Sequence, residues 1–328
     1  MISIQKYNNK ILHLWDDFIS NSNNGTIFNR QKFLSYHISR KFDDHSLLFF
    51  SDMKLIAVLP AVIIHSSGRK TLYSHPGASF GGLILNHNLS FTMIDAILNN
   101  LEKYCIDESI KELILINTPM IYYKTKDDSL NYLLLLHNFQ IYENYISHYI
   151  NTMNEENVIN LLNKRKKRYL KQLLEDNKFI FCTDSSIDDF YKILLDSKQK
   201  FHSKPTHSLE ELKKIQNLFP QRIKLLISKD KNKIAGGTLL FHTTKTTCLI
   251  FYNVVRNEYR NSQLAALQLF KCMQSAKKQK SYIIDLGVSH TPEQTDPLNP
   301  KKSLIQFKEQ LGATGVLRTI YKKQFNEK

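Results

Sequence analysis

Apolar runs of strand length alternate with segments of helical spacing along the whole chain, and the pattern occurs twice. In the first half, Ile11–Ser20 carries Leu14, Trp15, Phe18 and Ile19 at helical spacing, and Gln31–Arg40 reads as a short helix. Strands are expected at Ser46–Phe50 and Leu55–Ile64 around an Asp52-Met53-Lys54 turn, then at Glu112–Asn117 and Ile141–Ile150. Helices at Phe91–Cys105 and Leu130–Leu136 separate these strands. The second half begins with a long helix over Glu155–Asn177 and a strand over Phe179–Cys182. Helices over Ile187–Lys200 and Leu209–Leu218 follow, then a hairpin over Ile223–Ser228 and Lys233–His242. Cys248–Asn253 (strand), Gln263–Lys280 (helix), Tyr282–Leu286 (strand), Leu304–Gln310 (helix) and Leu317–Tyr321 (strand) complete it. Such order gives an α/β (α+β) chain of two mixed-sheet domains, 1–150 and 151–328, with the boundary in polar Asn151–Asn154.

Composition narrows the function classes. A hydrophobic fraction of 42% supplies a sizeable core, and 10 Gly with 8 Pro among 328 residues excludes collagen-like and low-complexity chains. Lys and Arg number 45 against 30 Asp and Glu, a net charge of +15 that points to a polyanionic partner. Cys105, Cys182, Cys248 and Cys272 stand singly without a Cys-x-x-Cys pair, which argues against a metal site and fits a reducing compartment. The N-terminus has no basic stretch followed by a long apolar one. The longest apolar run, Leu55–Ile64, is half of the ~20 residues that span a bilayer and contains Pro60, so a cytoplasmic protein is expected.

Five segments have compositions suited to chemistry. Lys164-Arg165-Lys166-Lys167-Arg168-Tyr169-Leu170-Lys171 puts six cations in eight residues of the long helix, a patch for phosphates through Arg165 and Arg168. Ser74-His75-Pro76-Gly77-Ala78-Ser79-Phe80-Gly81-Gly82 offers His75 and Ser79 on a small-residue loop able to wrap a ligand, without a phosphate-cradling P-loop signature. Lys204-Pro205-Thr206-His207-Ser208 precedes a helix that Ser208 caps with Glu211 as its box partner. His202 and His207 are too few for a metal centre, which leaves each as a surface or loop residue, with a general base or substrate contact as the alternative for His207. Asp285 ends an apolar strand just before Leu286-Gly287-Val288-Ser289, where an unpaired buried carboxylate is costly. In the last helix, closed by Gly312, Phe307 takes the core side and Lys308 a cleft or solvent.

In their order these pieces resemble the FemABX-like branch of the GNAT acyltransferase superfamily. The resemblance rests on Asn24-Gly25-Thr26-Ile27-Phe28 with Phe33-Leu34-Ser35-Tyr36-His37, on Ser74-His75-Pro76-Gly77 with Phe80-Gly81-Gly82, and on Lys204-Pro205-Thr206-His207-Ser208 with Leu218-Phe219-Pro220. Ile234-Ala235-Gly236-Gly237-Thr238, Asp285-Leu286-Gly287-Val288-Ser289 and Leu304-Ile305-Gln306-Phe307-Lys308 with Leu311-Gly312-Ala313 continue it. It implies two GNAT-like lobes with a shared cleft, and transfer of an acyl or aminoacyl group to an amine of a nucleotide- or lipid-linked envelope glycan or peptidoglycan precursor. The donor would be acyl-CoA or aminoacyl-tRNA as co-substrate, with no permanently bound cofactor. The partners are the precursor, with tRNA and a membrane surface as further ones. Lys308 matches the family's reacting-centre lysine and would stabilise an oxyanion, with Asp285 or His207 taking the amine's proton. The substrate-contacting set is His75, Ser79, Arg165, Arg168, Lys204, Thr206, Tyr252, Arg260, Ser289 and Phe307. Arg256–Ala265 stands where such enzymes carry a glycine-containing pyrophosphate loop and lacks both glycines, leaving Arg260 and the following helix N-terminus. The alternative is a non-catalytic RNA- or glycan-binding protein of the same fold, which needs the basic helix and no Asp285–Lys308 pair.

Overall fold

A computed structural model describes residues 2–66, 68–183, 187–199, 203–290 and 296–325. The chain forms two compact units: one from residues up to Asn144 together with those from Leu317 on, the other from Tyr145–Val316. The expected division at 150/151 therefore differs from the observed one in two ways. The turn into the second unit falls within the strand Gln140–Asn151, and the end of the chain returns to the first unit. Both units are mixed α/β.

The first unit holds an antiparallel sheet in the order Ile2–Lys6, Leu47–Ser51, Lys54–Leu59, Ile84–Leu85. A second set of strands runs in the order Thr314–Gln324, Glu112–Ile116, Arg69–Ser74, Val62–Ser66, Asp43–Asp44. Arg69–Ser74 and Glu112–Ile116 are parallel, joined by the helix Phe91–Asp107. Ile94, Ile97, Leu98 and Leu101 of that helix pack with Leu130, Leu133 and Leu134 of Ser129–Leu136 and with Leu72, Leu113 and Leu115 of the strands. The run Leu55–Ile64 is not one strand. Pro60 has no N–H to donate to a ladder, and the chain leaves the first sheet at Leu59 to re-enter the other at Val62. The expected turn before it is present: Asp52 and Met53 both have positive φ (47° and 65°), as a two-residue hairpin turn of right-handed twist demands. Helix Gln31–Arg40 is shorter than expected, ending at Leu34.

The second unit repeats that connection. Its strands run Phe179–Cys182, Ile223–Asp230, Lys233–His242, Thr247–Val255, Ile283–Val288, then the second half of Gln140–Asn151. Thr247–Val255 and Ile283–Val288 are parallel, joined by the helix Leu264–Lys278. Leu264, Leu267, Phe270, Cys272 and Met273 of this helix form the core with Ile150, Leu240, Cys248 and Ile284. The long helix expected over Glu155–Asn177 is two elements, a 3-10 turn at Val158–Leu161 and the helix Lys164–Glu175. Asn163 separates them, because its side-chain oxygen accepts from the Lys166 amide at 2.8 Å and so caps a new helix instead of continuing an old one.

Candidate functional site

The parallel pair in the second unit is registered only from Thr247–Leu249 against Ile283–Asp285. Both strands continue beyond, to Val255 and Val288, so the pair parts just after Asp285. On its other side, Ile283–Val288 pairs with Gln140–Asn151 through a bulge: Asp285 faces Tyr149 and Val288 faces Ser147, leaving Leu286 and Gly287 opposite His148 alone. Gly287 sits at φ 73°, a conformation that excludes most side chains, and this turns the strand end.

Polar groups converge on that bulge. Asp285 is fully buried, and its Oδ1 accepts from the Ser147 hydroxyl at 2.8 Å and from the Gly287 amide at 2.7 Å. The helix Lys302–Glu309 brings in Lys308, whose Nζ donates to the carbonyls of Gly287 (2.7 Å) and Val288 (2.9 Å) and to Ser289 Oγ (3.1 Å). Lys308 thus faces inward, which excludes the solvent placement of the two expected: only 4% of it is exposed, and its charge is tolerated because three acceptors meet it. Phe307 packs at the margin of the core, under the Lys166 ammonium. Ser289 Oγ also lies 2.9 Å from Nδ1 of buried His148. Burial, then the Lys308 charge, pushes the His148 pKa down, against weaker opposite pulls from Glu309 and Asp285.

The other expected residues fall into separate groups. Buried His207 packs edge-on against Phe251 and receives a hydrogen bond from Tyr191 at its carbonyl. The Tyr252 hydroxyl accepts from the Thr206 amide at 3.1 Å, while Lys204 is exposed, and His202 lies outside the described residues. The capping box of Ser208 and Glu211 is formed. On the helix Lys164–Glu175, exposed Arg165 and Arg168 flank Tyr169, and their hydrogen bonds to it push its pKa down. Among the described residues, no ion pair engages Lys164, Arg165, Lys167, Arg168 or Lys171. Lys166 of the same run instead turns inward and donates to Gln263 Oε1 at 2.6 Å. Gln263 opens the helix Leu264–Lys278 at φ 59° without a side-chain cap, so a left-handed position that suits glycine is taken by glutamine. Arg260 is exposed at the end of the preceding 3-10 turn.

The first unit has its own cavity of about 440 Å³, lined by Tyr7, Gln31, Lys32, His37, Arg40, Phe42 and His75 among others. His37 Nε2 donates to the Gly77 carbonyl at 2.8 Å, so Nδ1 holds the lone pair that accepts from Arg40 at 2.9 Å. His75 accepts from the Gly77 amide at Nδ1; burial, then the neighbouring His37 and Arg40, pushes its pKa down to about 3, so the ring is neutral. Tyr7 Oη and Gln31 Nε2 are buried atoms with no hydrogen-bond partner among the described residues. Ser79 gives its carbonyl to Arg318, whose guanidinium lies 4.6 Å from the Phe80 ring centre. Sequence reading missed His148, Ser147, His37 and Arg40. The signal for the first two was a Ser-His pair between the apolar and aromatic residues Tyr145, Ile146, Tyr149 and Ile150.

No family model matches the chain, and no curated protein matches its sequence. Among solved structures it is similar to FemX, with a TM-score of 0.75 and 10% identity over 99% of this chain and 98% of that one. The C-terminal domain of a putative lysylphosphatidylglycerol synthetase from Agrobacterium fabrum gives a TM-score of 0.58 at 8% identity, covering 97% and 93%. A tandem GNAT protein from the clavulanic acid biosynthesis pathway gives 0.57 at 9% identity over 100% of both chains. The chain therefore has the FemX-type, tandem GNAT fold that its ordered segments resemble. Among the described residues, no helix is long and apolar enough to cross a membrane, and no group of three or more His, Cys, Asp or Glu could hold a metal ion.

Proposed function

We propose that the protein transfers an acyl or aminoacyl group from an activated ester or thioester to an amine of an acceptor carrying phosphate, such as a nucleotide- or lipid-linked glycan precursor. The observation that carries this is the parallel strand pair of the second unit, which parts beside Asp285 with a buried, positively charged Lys308 at its open end. Asp285 and Lys308 meet on one residue, Gly287, through its amide and its carbonyl. The likeness to FemX and to a lysylphosphatidylglycerol synthetase domain supports a transfer to an envelope precursor, and that to a tandem GNAT protein supports acyl-CoA as the alternative donor.

In this reading the donor carbonyl enters between the parted strands, and the acceptor amine attacks it. The new C–N bond forms as the C–S or C–O bond breaks, and the amine's proton passes to Asp285 or His207, directly or through water. Lys308 stabilises the negative charge on the carbonyl oxygen in the transition state. A donor phosphate rests near Arg260 and the uncapped amides that open the helix Leu264–Lys278. Arg40, Lys32 and the unpartnered donors of Tyr7 and Gln31 suit an anionic group in the first unit's cavity. The five outward cations of Lys164–Glu175 favour a second reading, RNA binding by a non-catalytic protein. Mass spectrometry of the purified protein with a panel of acyl-CoAs, charged tRNAs and UDP-amino sugars tests both. A mass gain on an acceptor supports transfer. Retention of RNA with no transfer from any donor overturns it.

A further inference from the structure

An ammonium group has three N–H donors, and Lys308 directs one at each of Gly287 O, Val288 O and Ser289 Oγ. Two of these acceptors are backbone carbonyls fixed by the bulge at Gly287. The third is a hydroxyl that can rotate, so it is the contact Lys308 can release when another oxygen develops charge nearby. Ser289 Oγ accepts from Lys308 and has one hydrogen of its own to place. Nδ1 of His148, 2.9 Å away, is the acceptor for it.

We infer that His148 positions the Lys308 ammonium by fixing the Ser289 hydroxyl. The bulge supplies the reason it can: two residues of Ile283–Val288 sit opposite His148 alone, which brings the strand end and the imidazole to the same hydroxyl. With Nδ1 accepting, the ring is neutral and carries its proton on Nε2. The depressed pKa of the ring agrees with that arrangement. The charged groups facing the ring are Lys308 and Glu309 from the last helix and Asp285 from the adjacent strand. Protonation would reverse the contact. Nδ1–H would then donate to the oxygen that Lys308 also uses, and a second positive charge would stand beside the ammonium. The ammonium is therefore held for use at neutral pH and disturbed as pH falls through the His148 transition, below the usual 6.5.

The test uses the full chain with ¹⁵N-labelled lysine, the Lys308 ammonium resonance being assigned by its loss in Lys308→Met. In the unsubstituted protein this resonance should shift between pH 8 and pH 4.5 with the same midpoint as the His148 ring protons. His148→Asn keeps an acceptor where Nδ1 was and should leave the resonance sharp and insensitive to pH. His148→Phe removes the acceptor and should broaden it through exchange with water; if that variant does not fold, Ser289→Ala carries the same arm. The kinetic arm rests on the acyl-transfer reading: turnover should fall about 10- to 100-fold in His148→Phe with acceptor KM unchanged, and recover in His148→Asn. A Lys308 resonance that ignores both pH and His148→Phe overturns the inference. Absence of transfer from every donor overturns only the acyl-transfer reading, and the resonance measurements still decide this one.

Discussion

Replacing Lys308 by Met keeps most of the side-chain stem and removes a buried charge with its three contacts, at 2.7, 2.9 and 3.1 Å. Two opposing effects set the change in stability. The carbonyls of Gly287 and Val288 and the Ser289 hydroxyl lose a donor in a site with little access to water, at about 1–3 kcal/mol for a buried group left unsatisfied. Against this, Met does not carry the several kcal/mol needed to strip an ammonium of water. Each carbonyl keeps a second lone pair, so the losses do not sum; they and the relieved desolvation are of similar size, and the net change in stability lies within about 3 kcal/mol of zero. For a unit of this size that is a melting temperature within about 12 °C of the unsubstituted protein's. Turnover should fall further than stability. A charge at a developing oxyanion contributes roughly 3–4 kcal/mol, or about 100- to 1000-fold. Calorimetry and saturation kinetics on the same preparation separate the two. A fall in melting temperature of more than about 12 °C would refute this balance. A raised KM with unchanged turnover would make Lys308 a binding residue.

Arg165→Ala with Arg168→Ala should weaken binding to a phosphate-bearing partner and lower the slope of log affinity against log salt by about 1.4–1.8, read in a salt titration; an unchanged slope would mean the face is only solvated. His75 has a folded pKa depressed to about 3, so its contribution to stability is full above pH 6.5 and is lost as pH falls towards 3. Melting curves should show about 2 kcal/mol of it gone at pH 5, and His75→Asn should flatten that part of the profile. Gln263→Gly should relieve a left-handed residue by about 1 kcal/mol but give up the Lys166 contact, so urea denaturation should show a change within about 1 kcal/mol of zero. Gln263→Ala, which keeps the strain and loses the contact, should be clearly destabilising.

Much of the fold is legible because its elements obey local rules. Phe91–Asp107 shows its buried face as a periodic stripe, and the hairpin Ile223–Asp230 with Lys233–His242 is marked by a polar turn. Misreadings arise where hydrophobicity and local chemistry disagree. Leu55–Ile64 is uniformly apolar, yet one missing N–H at Pro60 divides it between two sheets. Glu155–Asn177 is helical in composition, yet Asn163 caps a new helix inside it. The assignment of strand to unit is not a local property at all. Gln140–Asn151 and Thr314–Gln324 each begin in one unit and end in the other, and no spacing along the chain records it.

The site was legible to the extent that its residues are costly anywhere else. A carboxylate ending an apolar strand must find partners, and Asp285 finds Ser147 and Gly287. The sequence left Lys308 between a cleft and solvent because a lysine on the flank of an apolar helix usually reaches water. Its burial depends on a bulge that aligns two carbonyls, and a bulge comes from the register between strands far apart in sequence. His148 is hidden for the same reason: 141 residues separate it from Ser289, and only pairing makes them neighbours. Gln263 shows the opposite case. The missing glycines argued against a phosphate-binding turn, since glycine makes a left-handed turn without steric cost. A single left-handed residue stands there nonetheless, Gln263, and Lys166, reaching from the basic helix to its side chain, is the contact that offsets its strain. A turn that would be free in glycine is here joined to the basic helix by one side-chain hydrogen bond.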